Sequence, residues 1–279
     1  MKKILITTFY FFSRIFIRFL PYAFVYDWPE RRIVFGIMLN KTQLKQFLAS
    51  IWPINTVGGL KRYGTEGDGG YLLPKDITQV DFCFSAGIEQ NSDYEFDIAE
   101  HFGCKIFMLD ASVDGPAQNH KNFSFEPMWL GSASGTITYG VNEWIEMNSH
   151  AEAKDIHLKI DIEGNEYSVL DALSFINQRR LSVVVCEFHS FENILLKNQT
   201  KYRMIFKQLL QTHHVVHLHA NNVRRPFRRF RLSIPTDLEV TFVRKDLIEI
   251  NNEIVTLPNS LDHENTGGLP INLNWARNV

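Results

Sequence analysis

The stretch Val80 to Asp110, VDFCFSAGIEQNSDYEFDIAEHFGCKIFMLD, constrains the fold more than any other, because it reads as strand, glycine turn, helix, second strand and closing acid. Val80, Phe82 and Phe84 belong to a short apolar run that stops at Ser85-Ala86-Gly87, as in a strand buried on both faces of a parallel sheet. This is expected to be the central strand. Ser92 with Glu95 forms a capping-box pattern, and Phe96, Ala99 and Phe102 recur at helical spacing until Gly103 ends the run. Lys105 to Leu109 makes a second strand with Asp110 at its carboxyl end, where a doubly wound α/β sheet meets the ribose of a nucleoside.

Charge discriminates between nucleosides. A dinucleotide sets its pyrophosphate on the helix N-terminus and needs several glycines, whereas this turn has only Gly87 and carries Glu89, Asp93 and Glu95. S-adenosylmethionine combines adenosine with a sulfonium and an ammonium and bears no phosphate, so it suits the acids better. The plainer alternative is a βαβ unit without a ligand, whose acids only favour the helix dipole.

With 279 residues, 45% hydrophobic and 22% charged, the chain can bury a large core, and one main domain over residues 27–279 with a preceding arm is the simplest division. The sheet core is expected over about residues 61–245, with a wrapping tail over 246–279. A net charge of −2 exerts no global pull toward nucleic acid or anionic lipid. Cys83, Cys104 and Cys186 lack metal-like spacing and read as core residues of a protein in a reducing, cytoplasmic compartment. In the arm, residues 1–26, Lys2 and Lys3 precede an aromatic and aliphatic run broken by Arg14 and Arg18. Four residues apart, these arginines share a helix face, which fits a basic amphipathic helix at a membrane surface; a helix docked on the protein's own core or a weak membrane span are the alternatives.

Other stretches deliver polar groups to the same sheet edge. Asn40 with Gln43 caps an amphipathic helix ending near Trp52-Pro53. The segment from Lys61 to Tyr71 holds four glycines and is either a simple hairpin or a bare backbone beside the ligand, with Asp68 and Gly70 contacting it and Tyr71 packed alongside. Phe123 to Met128 is a third strand, and the WLGSASGT loop after it, with Ser132, is expected near the adenine end. In DIHLKIDIEGNE a strand ends at Asp161, the first choice for a residue beside the reacting methyl, and Glu163 either joins it or caps the next helix. Leu181 to His189 is a fifth buried strand delivering Glu187 and His189 on one face. His189 as a neutral imidazole suits a general base, while Asp161 or Glu187 positions the acceptor. The three are also of metal-ligating type, although no spacing makes a metal specific, and none is assigned. Val215 to Leu218 and Leu238 to Val243 are later strands, the last an edge or antiparallel one. Between them Arg224, Arg225, Arg228, Arg229 and Arg231 suggest an anionic partner, a phosphorylated glycan or lipid headgroup rather than nucleic acid, or else a solvated loop.

GDGGYLL (67–73), FSAGIEQNSDYEFDIAEHFGCKIFMLDAS (84–112), LKIDIEGNEYSVLDAL (158–173), CEFH (186–189) and LHANN (218–222) together resemble the FkbM-type S-adenosylmethionine-dependent methyltransferases, and LPNSLDHEN (257–265) resembles a C-terminal motif of one branch. The resemblance covers about residues 61–245. It implies a class I methyltransferase sheet of seven strands, mostly parallel with the last reversed and with helices on both faces. It further implies methyl transfer, usually to oxygen and often on a sugar or small metabolite. By position, Ser85, Gly87 and Glu89 correspond to the cofactor turn, Asp110 to the ribose acid and Asp161 to the fourth-strand motif. The rivals are an NAD(P)-dependent enzyme on a related sheet, which the acid-rich turn disfavours, and a non-catalytic membrane-surface protein acting through its arm and arginines.

Overall fold

The computed structural model describes residues 22–27 and 32–275. Its centre is a seven-stranded sheet of β1 (Phe82–Ala86), β2 (Lys105–Leu109), β3 (Phe123–Glu126), β4 (Ile156–Ile160), β5 (Leu181–Phe188), β6 (His213–Ala220) and β7 (Leu238–Arg244). The spatial order is β6-β7-β5-β4-β1-β2-β3. All neighbours pair in parallel except β7, which runs antiparallel to both β5 and β6. This is the mostly parallel class I methyltransferase arrangement that the resemblance implies. One expectation changes: the middle strand is β4, with β1 beside it. Of the two readings of the last strand, edge or antiparallel, the second holds, and β7 lies inside the sheet between β5 and β6.

Period-two alternation divides the apolar side chains between two cores. Phe84, Leu158, Val184 and Phe188 pack on one face, whereas Cys83, Ile106, Val183 and Val185 pack on the other. Both faces are covered, so every residue of β4 and of β5 is buried, including the polar His157, Lys159, Ser182 and Glu187. The three cysteines are free and buried.

The covering helices are α1 (Lys41–Ser50), α2 (Asp93–Phe102), α3 (Val141–Asn148), α4 (Glu166–Ala172), α5 (Phe175–Arg180) and α6 (Thr200–Leu209). Asn40 and Gln43 form the reciprocal capping box expected at α1. At α2 the box is absent: the Ser92 side chain accepts from the backbone N–H of Gln118, and Glu95 accepts from the Ser85 hydroxyl inside the fold. Ser85, Ser92 and Glu95 are all buried, and tertiary partners take the place of the local cap.

Residues 1–21 of the arm lie outside the described residues. Tyr22–Asp27 is not helical: it pairs antiparallel with Arg32–Ile37, and Val25 joins the main core. The arm read over residues 1–26 therefore ends in a strand that the domain division at 26/27 cuts. Among the described residues no helix is long and apolar enough to cross a membrane. The tail does more than wrap: Leu257, Leu273 and Trp275 are buried, and Trp275 packs on Trp52 and Phe191.

Candidate functional site

The carboxyl ends of β1, β4 and β5 open into a cavity of about 500 Å³, within the size range of sites for small ligands. Its wall carries seven carboxylates, Asp68, Glu89, Glu95, Asp161, Glu163, Glu187 and Asp237, against Lys159, Arg224 and His189.

The turn after β1 is fixed from two sides. Gly87 has φ +77°, and a Cβ there would lie 1.6 Å from the carbonyl oxygen of Asp161, so only glycine lets the first turn lie against the end of β4. The Gly87 N–H donates to the Leu109 carbonyl, and the buried Lys159 ammonium donates to the Gly87 carbonyl. Asp110 holds the next part of the turn. One of its oxygens accepts the N–H groups of Ile88 and Glu89 at 3.0 and 2.8 Å, and the other accepts the N–H and hydroxyl of Ser112 at 2.8 and 2.6 Å. Burial raises the Asp110 pKa, but the bonds from Ser112, Glu89 and Ile88 outweigh it and hold it below the usual carboxylate range. All four acceptor positions of this carboxylate are filled from within the chain, and Asp110 does not line the cavity.

At the end of β4, Asp161 accepts the Tyr71 hydroxyl at 2.9 Å. Burial, then the neighbouring Asp161, pushes the Tyr71 pKa well above its ordinary value, so Tyr71 acts as a donor. Glu187, at the end of β5, accepts from Asn221 Nδ2 at 2.7 Å. Burial and the Asp161 charge raise its pKa well above the normal range. His189 Nδ1 lies 2.9 Å from Glu166 Oε1, and Nε2 lies 3.7 Å from Glu163 Oε2. Burial disfavours the charged ring, but the hydrogen bond and charge of Glu166, with Glu187 and Asp161, raise its pKa to about 11. The sequence expects a neutral imidazole base here; the surrounding acids instead favour the protonated ring, a hydrogen-bond donor.

Of the residues singled out in the sequence, Asp68, Gly87, Glu89, Asp161, Glu187 and His189 converge on this cavity. Others do not. Ser85 is fully buried and bonded to Glu95; Gly70 is packed under the Thr65 carbonyl and the Arg62 guanidinium, which leave no room for a Cβ. Ser132 is exposed in the loop between the short strands Trp129–Gly131 and Thr138–Gly140, outside the cavity lining. The hairpin of Leu60–Tyr63 and Tyr71–Pro74 combines both readings of its segment, since Asp68 and Gly69 at its tip line the cavity.

Glu163, Glu166 and Asn265 carry more of the site than the sequence suggested. Glu163 sits at φ +56° and lines the cavity instead of capping α4; burial raises its carboxyl pKa. Glu166 Oε1 accepts from the N–H groups of Ile162 and Gly164 as well as facing His189. Asn265, in the tail, donates to Asp68 at 2.9 Å and Glu239 at 2.8 Å while facing His219 Nε2 at 3.0 Å. His217 and His219 in turn face Asp262 at 2.9 and 3.7 Å. Glycine turns and strand-end acids signal themselves in sequence, but only the LDHEN motif marks the tail.

Beside this cavity lies a second cleft of about 860 Å³, lined by Arg224, Arg225 and Arg228 with the tail segment from Thr266 to Asn272. The two share Val223 and Arg224. Arg224 also forms an ion pair with Asp237. Arg229 packs over Phe230, and Arg231 is exposed in the turn between the short strands Phe227–Arg229 and Leu232–Ile234.

Solved structures superpose loosely on the chain. The Methanococcus jannaschii fibrillarin pre-rRNA processing protein is 9% identical, with a TM-score of 0.37 over 67% of this chain and 71% of that one. The Geobacter metallireducens GS-15 precorrin-6y C5,15-methyltransferase is 11% identical, with a TM-score of 0.32 over 75% and 91%. The fold assignment therefore stands on this chain's own strand order. A search of curated proteins returns no match. Residues 86–214, which run from the end of β1 into β6 and include the first turn, Asp110, Asp161, Glu187 and His189, match the family model described as the methyltransferase FkbM domain.

Proposed function

We propose that this protein is an S-adenosylmethionine-dependent methyltransferase that methylates a hydroxyl oxygen of a small anionic metabolite, a sugar or glycan being the favoured class. One observation carries the reading: the tight Gly87 turn opens onto a cavity whose carboxylates outnumber its bases. That lining suits a sulfonium and an ammonium and repels a pyrophosphate. Asp68, Gly87 and Glu89 would hold the donor, with Asp110 acting through the turn it keeps in shape. Bound there, the donor supplies a methyl group already activated by its positive sulfur.

The chain's own task is to align the acceptor and accept its proton. Asp161 and Glu187 position the acceptor. Glu163 is the base, because its carboxylate lines the cavity and desolvation raises its pKa; His189, facing Glu166 and Glu163, orients the acid cluster. The arginine cleft next door supplies the reason for an anionic acceptor, whose charged end would lie near Arg225 and Arg228. Calorimetry with S-adenosylmethionine, its demethylated product and NAD tests the donor assignment. Binding of the first two without the third is expected; binding of NAD alone overturns it. Transfer of labelled methyl to a panel of phosphorylated and neutral sugars then tests the acceptor class, with preference for the phosphorylated members expected.

A further inference from the structure

The group at the ends of β4 and β5 contains more than a sulfonium needs. Carboxylates attract any cation, but a histidine beside them adds a ring nitrogen that serves coordination once a metal displaces its proton. Asp161, Glu187 and His189 each offer a ligand atom within 4.8 Å of the others. Small side-chain movements would bring all three onto one ion at ordinary bond lengths near 2.1 Å.

Each member is held by a residue outside the group. Glu166 faces His189 Nδ1 at 2.9 Å, the carboxylate–histidine arrangement that orients a metal-ligating ring through its other nitrogen. His189 is only 6% exposed and lines the cavity, and its Nε2 lies 3.7 Å from Glu163, beyond hydrogen-bond reach. Asn221 fixes one oxygen of Glu187 and Tyr71 fixes one of Asp161, leaving each carboxylate a second oxygen. Within the cluster, Glu187 and His189 stand at the end of β5, which β4 separates from β1, while Asp161 borders the Gly87 turn.

We propose that Asp161, Glu187 and His189 form a binding site for one divalent cation of the Mn²⁺ and Mg²⁺ class. Two carboxylate oxygens and one imidazole nitrogen favour Mn²⁺ over Mg²⁺ and leave coordination positions for water or an acceptor hydroxyl. Binding displaces the proton from His189 Nε2 to solvent. A hydroxyl on the ion would release its proton more easily, to Glu163 in the scheme above. That last role rests on the methyl-transfer reading; the site itself does not.

The test uses the full chain with Mn²⁺ alone, without donor or acceptor, and reads free Mn²⁺ by electron paramagnetic resonance. One saturable site per chain is expected, displaced by Mg²⁺ at higher concentration. Glu187→Gln and Asp161→Asn should each weaken it about tenfold or more, with thermal melts confirming that the variants fold. If one variant fails to fold, the other decides. Lack of saturable binding by the wild-type chain, or unchanged affinity in the folded variants, overturns the proposal. Donor binding measured in the presence of a chelator separates this outcome from failure of the methyltransferase reading.

Discussion

The two clefts at the rim of the sheet share a wall at Val223 and Arg224 and yet carry opposite charge. The first gathers acids at the ends of buried strands, where burial raises Glu187, Glu89 and Glu163 above ordinary carboxylate values. The second gathers arginines on a loop, with Arg225 and Arg228 exposed. The contrast separates two tasks. Acids at strand ends, with Glu187 buried and hydrogen-bonded, make a site for a compact cation, whereas long exposed arginines suit an anionic partner of variable shape.

The sharpest way to break this division is Gly87→Ala. The new methyl would collide with the Asp161 carbonyl at φ +77°, so a loss of about 3 kcal/mol or more in stability is expected, with donor binding undetectable by calorimetry. Ordinary donor affinity in this variant would show that the turn is not part of the acid cleft's function.

The tail walls both clefts, through Asn265 beneath Asp68 and through Thr266 to Asn272 beside the arginines. Burial opposes the charged form of His219, but Asp262, Glu239 and Asn265 raise its pKa to about 9, from about 6.5 when unfolded. Because the folded value is the higher one, this stabilisation is complete below about pH 6.5 and is lost as pH rises through 9. Up to about 3 kcal/mol is at stake, and His219→Gln should flatten the fall in melting temperature between pH 6 and 10. A wild-type melting temperature that stays level over this range would sever the tail from the histidine pair.

A smaller effect is expected from Asp110→Ala, which leaves the Ile88 and Glu89 N–H groups without their acceptor at a cost of about 1–3 kcal/mol. Donor affinity should fall about tenfold to a hundredfold, while acceptor KM stays within error. The smallest change should come from charge reversal at Arg225 and Arg228 together. It should raise KM for a phosphorylated acceptor about tenfold, diminish with added salt, and leave donor affinity untouched; equal effects on donor and acceptor would merge the two clefts into one.

Much of the sheet was legible because strands buried on both faces are mostly apolar, as β5 is from Val183 to Cys186. The convergence of Asp161, Glu187 and His189 followed from the same logic, since adjacent parallel strands end at one rim. What escaped was set by contacts distant in sequence. Glu166 reads as a helix-opening acid, yet its partner His189 is 23 residues away, and that pairing decides the imidazole's charge. Ser92 and Glu95 matched a local pattern that Gln118 and Ser85 outcompeted. Asn265 sits in a segment without periodicity, 197 residues from Asp68. Ser132 misled because a small polar loop after the third strand looks the same whether it faces a ligand or solvent.

The reversal of β7 has a practical corollary. Its first residues, Leu238 and Glu239, pair with Phe188 and Glu187 at the cavity end of β5, so its last residues emerge on the opposite side of the sheet. The chain must cross back before Asn265 can reach Asp68. A protein shortened to residue 256 would retain every sheet strand and helix named above while forfeiting a support of its binding pocket, making ordered secondary structure a poor proxy for competence in truncated forms.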